Sequence, residues 1–214
     1  METIQKDKVK IDLGRIKLDG ILTVPPSPKG IVVFSHGSGS SHLSPRNSYI
    51  AGKLNSHKFA TLLFDLLTEG EDIQFKNRFD IELLTDRLLQ VSEWLKDQAA
   101  TIDLPLGFFG ASTGAASALR ASALMGEKVE AVVSKGGRPD MAGSVYLTKV
   151  TAPTLLLVGG KDDVVLSLNQ KALHEMNCTK ELKIIPGAGH LFAEPHTLER
   201  VAVLASLWFD KFLN

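Results

Sequence analysis

A single cysteine, Cys178, is all the thiol this chain carries, so no internal disulfide framework can brace it. An excess of either charge is also lacking. Lys plus Arg number 24 and Asp plus Glu number 24, giving a net charge of zero. No K/R-rich block or basic stripe stands out, which argues against nucleic acid as a partner. Long apolar runs are missing too, since none nears the roughly 20 residues of a membrane span. The opening stretch, Met1 to Lys6, is polar and has no signal-peptide core. The expectation is a cytoplasmic chain with neither a membrane nor a nucleic-acid partner. No cluster of metal-ligand spacing is visible, so no metal and no cofactor are expected.

What remains is an ordinary globular composition, 44% hydrophobic over 214 residues, enough for one domain with a sizeable core. No repeat, low-complexity tract or linker divides the chain, so residues 1–214 read as one domain. Val9 to Leu13 alternates apolar with polar, Gly14-Arg15 intervenes and Ile16 to Val24 follows, the pattern of an antiparallel hairpin. Pro25-Pro26-Ser27-Pro28 is a stiff connector that cannot continue a central strand. Beyond it, strands are expected at Ile31–Ser35, Ala60–Asp65, Pro105–Phe109, Val129–Ser134, Thr154–Val158 and Glu181–Ile185. These runs are nearly all apolar, as strands covered on both faces are.

Helical stripes lie between and after the strands. Leu84, Leu88, Val91 and Leu95 form one. Leu198, Val201, Ala205, Trp208 and Phe212 form another, entered through Pro195. The pattern predicts an α/β fold: a doubly wound, mostly parallel sheet of about eight strands with helices on both faces. About twenty residues separate the strand ending at Ser134 from the one starting at Thr154, too few for a lid domain. An open, shallow site is therefore expected.

The stretch richest in chemistry is Gly110-Ala111-Ser112-Thr113-Gly114, which reads G-x-S-x-G between an apolar strand and a small-residue helix. There a serine would project from a sharp turn while the glycines let neighbouring backbone crowd close. Alone, the pattern is only a glycine-bracketed turn. An acid and a histidine follow it in chain order, each just after a predicted strand. Thr154–Val158 runs into Gly159-Gly160-Lys161-Asp162-Asp163, and the next strand runs into Pro186-Gly187-Ala188-Gly189-His190. Open parallel sheets build their sites at that edge. Serine is a poor nucleophile without an adjacent base, and His190 is the candidate. His174 and His196 read as exposed helix residues, and His36, His42 and His57 precede the serine.

Together these stretches resemble the α/β-hydrolase superfamily, and within it the dienelactone-hydrolase-like group of small, lidless enzymes. The resemblance is carried by Phe34-Ser35-His36-Gly37-Ser38-Gly39-Ser40-Ser41, Gly107 to Gly114, Ser134 to Asp140, Gly159 to Val165 and Ile185 to His190. It implies ester or thioester hydrolysis by a nucleophile–His–Asp triad without a metal. The family's spacing before Val164-Val165 selects Asp162 over Asp163 as the acid that would orient His190. Members that name the family carry cysteine as the nucleophile. Ser112 stands there in this chain, which points to a general carboxylesterase for small esters, thioesters or lactones.

Two N–H donors would hold the oxyanion: the amide of Thr113 and one from the loop after Phe34, at Gly37 or Ser38. His36 and Gly37 of that loop are candidates to touch substrate. Arg138 is open to two readings, a bidentate grip on a substrate carboxylate or a structural pair with Asp140. Arg46 poses the same question, with the structural reading ahead.

Two other functions use the same residues differently. An acyltransferase or perhydrolase would employ the triad with an acceptor other than water. A non-catalytic binding protein would retain the scaffold alone. A nucleotide-dependent enzyme fits less well, since neither G-x-G-x-x-G nor G-x-x-x-x-G-K-[ST] is present. The oligomeric state is not fixed, and a homodimer stays open.

Overall fold

A computed structural model describes residues 3–213. The chain opens with the expected hairpin. β1 (Gln5–Asp12) and β2 (Lys17–Val24) pair antiparallel, with Ile11 opposite Leu18. Strands and helices then alternate: β3 (Gly30–Ser35), α1 (Pro45–Ser56), β4 (Phe59–Phe64), a short α2 (Glu69–Asp72), α3 (Ile81–Trp94), β5 (Leu106–Ala111) and α4 (Thr113–Met125). The second half holds β6 (Ala131–Lys135), a short α5 (Ser144–Leu147), β7 (Thr154–Gly159), α6 (Asp163–Glu175), β8 (Lys180–Ile185) and α7 (Thr197–Phe212). The sheet has eight strands in the order β1-β2-β4-β3-β5-β6-β7-β8. β2 runs antiparallel to β4, and every pairing from β4 to β8 is parallel.

Helices cover both faces, as the apolar strands require. Ile81, Leu84, Leu88 and Val91 of α3 join Ala116 and Leu119 of α4 and Ala172 of α6 in one core. Ile50 and Leu54 of α1 join Val201, Ala205, Trp208 and Phe209 of α7 in the other. Each fully buried Leu, Ile or Phe there contributes about 1.5–3 kcal/mol of burial. The alanines of α4 leave no bulk between helix and sheet. Beneath its first turn, Ser117 Oγ pairs with Ser35 Oγ at 2.8 Å and donates to the Gly114 carbonyl at 3.0 Å. These buried bonds pin α4 to β3 under the candidate serine.

Three features differ from the expectation. β5 continues through Gly110 and Ala111, so the turn is sharper than a strand ending at Phe109 would give. β8 is not apolar throughout but half exposed, because it is the sheet edge and has a neighbour on one side only. Between β4 and α3 the chain makes an excursion that leaves Ile73, Phe75 and Phe79 exposed. No lid domain is present among the described residues; short helical turns at Pro139–Ala142 and α5 fill the segment after β6. No helix among the described residues is long and apolar enough to cross a membrane.

Candidate active site

Ser112 sits between β5 and α4 with φ 51° and ψ −120°, a conformation that costs a non-glycine residue about 1–3 kcal/mol. Its surroundings hold it there. The Ser112 N–H donates to the Lys135 carbonyl at 3.2 Å, and its own carbonyl accepts from Ala115 N–H and Arg138 N–H, each at 3.1 Å. The flanking glycines are sterically required. A Cβ on Gly114 would lie 2.1 Å from the Ser35 carbonyl oxygen, and one on Gly110 would lie 2.4 Å from Ala115 Cα. The loop after β3 also comes close, since a Cβ on Gly37 would lie 3.1 Å from Ser112 Cβ.

The three residues singled out in the sequence meet here. His190 Nε2 lies 3.3 Å from Ser112 Oγ, and His190 Nδ1 lies 2.7 Å from Asp162 Oδ2. The carboxylate accepts, so Nδ1 carries the ring proton and Nε2 turns its lone pair to the serine. Asp162 directly precedes α6, with its side chain 15% exposed, while that of His190 is 40% exposed. Asp163 is exposed in the first turn of α6, and among the described residues it forms no ion pair or hydrogen bond with His190. The His190 loop is clamped on both sides. Lys161 N–H donates to the Ala188 carbonyl at 2.9 Å, and Gly189 N–H donates to Glu194 Oε1 at 3.0 Å. Backbone N–H groups, its own first and then Gly189's, hold the Glu194 carboxyl below the usual range. Sequence reasoning missed Glu194, whose only signal is a carboxylate shortly after a glycine-rich histidine loop.

The candidate oxyanion donors are neighbours. Thr113 begins α4, where a helix leaves its first amides unpaired. Ser38 N–H donates to Thr113 Oγ1 at 2.9 Å, so the Thr113 hydroxyl must yield if that amide is to serve an oxyanion. Gly37 lies one residue closer to the elbow.

His36 is placed differently from the expectation that it touches substrate. Its Nε2 accepts from Leu66 N–H at 3.1 Å, and its Nδ1 lies 3.0 Å from the Gly37 carbonyl. An N–H can only donate and a carbonyl can only accept, so the ring is the neutral tautomer with its proton on Nδ1. Burial pushes its pKa down, consistent with that form. Both nitrogens are committed within the protein, so His36 fixes the loop rather than reading substrate. Nearby, Asp65 accepts from His42 at the backbone, 2.7 Å, and approaches its ring, 2.8 Å, tying the same loop to the end of β4.

Arg138 forms a two-pronged pair with Asp140 at 2.8 and 2.7 Å, the structural member of the two alternatives. That hydrogen-bonded partner raises its pKa further. His174 and His196 are exposed, and His57 pairs with Asp210 far from the serine. Cys178 is half-buried near Thr154, and burial pushes its thiol up, away from nucleophile chemistry.

Lys135 is the unexpected neighbour. It ends β6, is 6% exposed, and holds its ammonium 5.1 Å from the centre of the Phe192 ring. Burial, assisted by the nearby Arg46 charge, lowers its pKa to about 8. The hollow beside the elbow, bounded by His36, Gly37, Ser38, Arg78 and Thr113, encloses only about 10 Å³. A far larger cleft of about 510 Å³ lies on the outer side of α3 and α4, lined by Asp80, Asp86, Arg120 and Tyr146. Its lining includes none of Ser112, Asp162 and His190.

The parallel sheet, the strained serine after β5, and the acid and histidine after β7 and β8 define an α/β-hydrolase fold. The chain belongs to the dienelactone hydrolase family, whose model matches residues 18–208. A dienelactone hydrolase from Anabaena variabilis ATCC 29413 is 48% identical, with a TM-score of 0.95 over 99% of each chain. Est1E from Butyrivibrio proteoclasticus is 18% identical, with a TM-score of 0.81 over 95% of this chain and 98% of its own, a likeness of fold alone. Proteins from two Mycobacterium tuberculosis strains, provisionally named phosphoribosyl transferases, are 54% identical over 206 residues. The match takes in 96% of this chain and 46% of theirs, so the chain spans about half the length of the curated relatives it matches.

Proposed function

We propose that the chain hydrolyses small carboxylic esters, with thioesters and lactones in reach of the same chemistry, using Ser112, His190 and Asp162. The observation that carries this reading is the unbroken line from Asp162 Oδ2 through His190 to Ser112 Oγ, at 2.7 and 3.3 Å. Ser112 Oγ attacks the acyl carbon while its proton passes to His190 Nε2. The negative charge on the former carbonyl oxygen is met by the Thr113 amide and a loop amide at Gly37 or Ser38. His190 returns the proton to the departing alkoxide, leaving an acyl group on Ser112. Water then attacks that acyl carbon, gives a proton to Nε2, and the serine recovers it as the acid leaves. Asp162 holds the imidazole in the working tautomer throughout.

Family membership supports hydrolysis, and the exposed rim of His190 supports water as the acyl acceptor. The transferase name of the Mycobacterium relatives belongs to proteins of which this chain matches 46%. Hydrolysis of p-nitrophenyl acetate and decanoate tests the reading. Acetate should be cleaved well and decanoate poorly, because the hollow beside the elbow encloses only about 10 Å³. Ser112→Ala should fall to the buffer background. A Ser112→Ala protein that retained the native rate would overturn the assignment.

A further inference from the structure

Buried cations in proteins are normally paired, because removing a charge from water costs more than a dry cavity returns. Arg87, 8% exposed, obeys this rule and meets Glu71 at 2.5 Å. Lys135, 6% exposed, does not. No carboxylate lies within 4.0 Å of its ammonium among the described residues, and no hydrogen bond satisfies it. The ionic group that bears on it is another cation, Arg46. Arg46 is exposed in the first turn of α1, a 12-residue helix, and it too lacks a carboxylate partner among the described residues. The partly positive end of that helix adds to the same side of the balance. The Phe192 ring offers only a weak cation–π contact in place of an anion.

The place matters as much as the charge. The Lys135 carbonyl receives the Ser112 N–H, and a Cβ on the next residue, Gly136, would lie 3.6 Å from His190 Cε1. Phe192 follows His190 by two residues in the same loop. The Lys135 backbone is therefore held between the nucleophile turn and the histidine loop, with its ammonium against the Phe192 ring of that loop. It is not among the wholly enclosed unpartnered atoms, so part of the ammonium is open to solvent.

We propose that Lys135 and Arg46 form a subsite for a phosphate monoester carried by the ester substrate away from the bond that is cut. A phosphate dianion matches two free positive charges, whereas one carboxylate leaves a charge over. This inference rests on the ester-hydrolase reading and names the substrate class that reading leaves open. Arg138 is not part of it, since Asp140 already occupies its guanidinium.

The test compares 4-acetoxyphenyl phosphate, 4-acetoxybenzoate and 4-tolyl acetate as substrates of the native chain, Lys135→Met and Arg46→Ala. Taking each ratio to 4-tolyl acetate within one protein, then comparing proteins, cancels the intrinsic reactivity of the leaving group. The phosphate-to-neutral ratio of kcat/KM should fall by about tenfold or more in Lys135→Met, the loss expected for a buried charged hydrogen bond. Arg46→Ala, an exposed change that leaves the core untouched, should lower it in the same direction. The carboxylate ratio should fall less. Calorimetric binding of phenyl phosphate to Ser112→Ala probes the subsite without any chemistry. Binding there that is lost on adding Lys135→Met supports the subsite even if Ser112 proves not to be the nucleophile. Native cleavage of the neutral ester through Ser112, with no phenyl phosphate binding and an unchanged phosphate ratio in both variants, overturns the subsite and spares the hydrolase reading. An equal fall for carboxylate and phosphate overturns the choice of a dianion.

Discussion

Ser38 and Thr113 are joined by a 2.9 Å hydrogen bond from the Ser38 amide to the Thr113 hydroxyl. That bond fastens the loop after β3 to the residue that follows Ser112, so both expected oxyanion donors belong to one rigid unit. Replacing Thr113 by Val keeps the shape and removes the acceptor. The loop after β3 then loses its tether to the elbow, the Gly37 amide beside Ser112 is held less firmly, and kcat for p-nitrophenyl acetate should drop several-fold. Stability should fall by about 1 kcal/mol, the net worth of one hydrogen bond. Thr113→Ser retains the hydroxyl and should keep most of the native rate. Equal rates for the Val and Ser variants would show that the bond does not position the loop.

Asp162 and Asp163 stand side by side, yet only Asp162 reaches His190. Asp162→Asn should reduce kcat by about a thousandfold or more, because an amide can donate to Nδ1 and stabilise the wrong tautomer. Asp163→Asn should stay within about twofold of the native rate, since that side chain is exposed and touches none of the triad. Steady-state kinetics on the two proteins separates the residues, and a reversal of their effects would reassign the acid.

Gly114 and Gly52 offer a paired test of steric need. A methyl on Gly114 would sit 2.1 Å from a backbone oxygen of β3, whereas one on Gly52, an exposed position in α1, meets nothing within 4 Å. Gly114→Ala should lower the thermal midpoint sharply or prevent folding. Gly52→Ala should raise stability by about 0.5–1 kcal/mol, because alanine loses less backbone entropy in a helix. Thermal unfolding followed by circular dichroism reads both changes.

Much of this site is legible in the residues themselves. Gly110 and Gly114 announce a turn that only bare backbone can make, and Asp162 and His190 follow strands whose apolar runs are easy to see. Choosing Asp162 over Asp163 required the family's spacing, because both are loop acids by composition. The commitment of both His36 nitrogens was not legible, since Leu66 N–H comes from another strand end and nothing local signals it. Lys135 was hidden for a related reason. A lysine ending an apolar strand reads as a polar boundary, and its burial arises from Phe192 folding over it from far along the chain. The exposed apolar excursion at Ile73, Phe75 and Phe79 has no strong period, so it could not be assigned from pattern.

Lys135 also makes a prediction about pH. Its pKa in the folded chain, about 8, lies below the ordinary 10.5. Below pH 8 both folded and unfolded chains hold the proton, and the folded state carries the full cost of the buried charge. Between about 8 and 10.5 the folded chain releases the proton first, so this residue makes stability rise with pH across that window. The gap of 2.5 at about 1.4 kcal/mol per pH unit amounts to about 3 kcal/mol. Urea unfolding at pH 7.5 and 10 should show the native chain gaining on Lys135→Met by a sizeable part of that amount. A constant difference between the two proteins would mean that the lysine titrates normally.

On the proposed function, Ser112 is a nucleophile made reactive by His190. Treating the chain with a fluorophosphonate and locating the adduct by peptide mass spectrometry tests it most directly. A single phosphonylated residue, Ser112, is expected, with labelling strongly slowed by His190→Ala. An unlabelled native chain, or an adduct at another residue with Ser112 untouched, would contradict it.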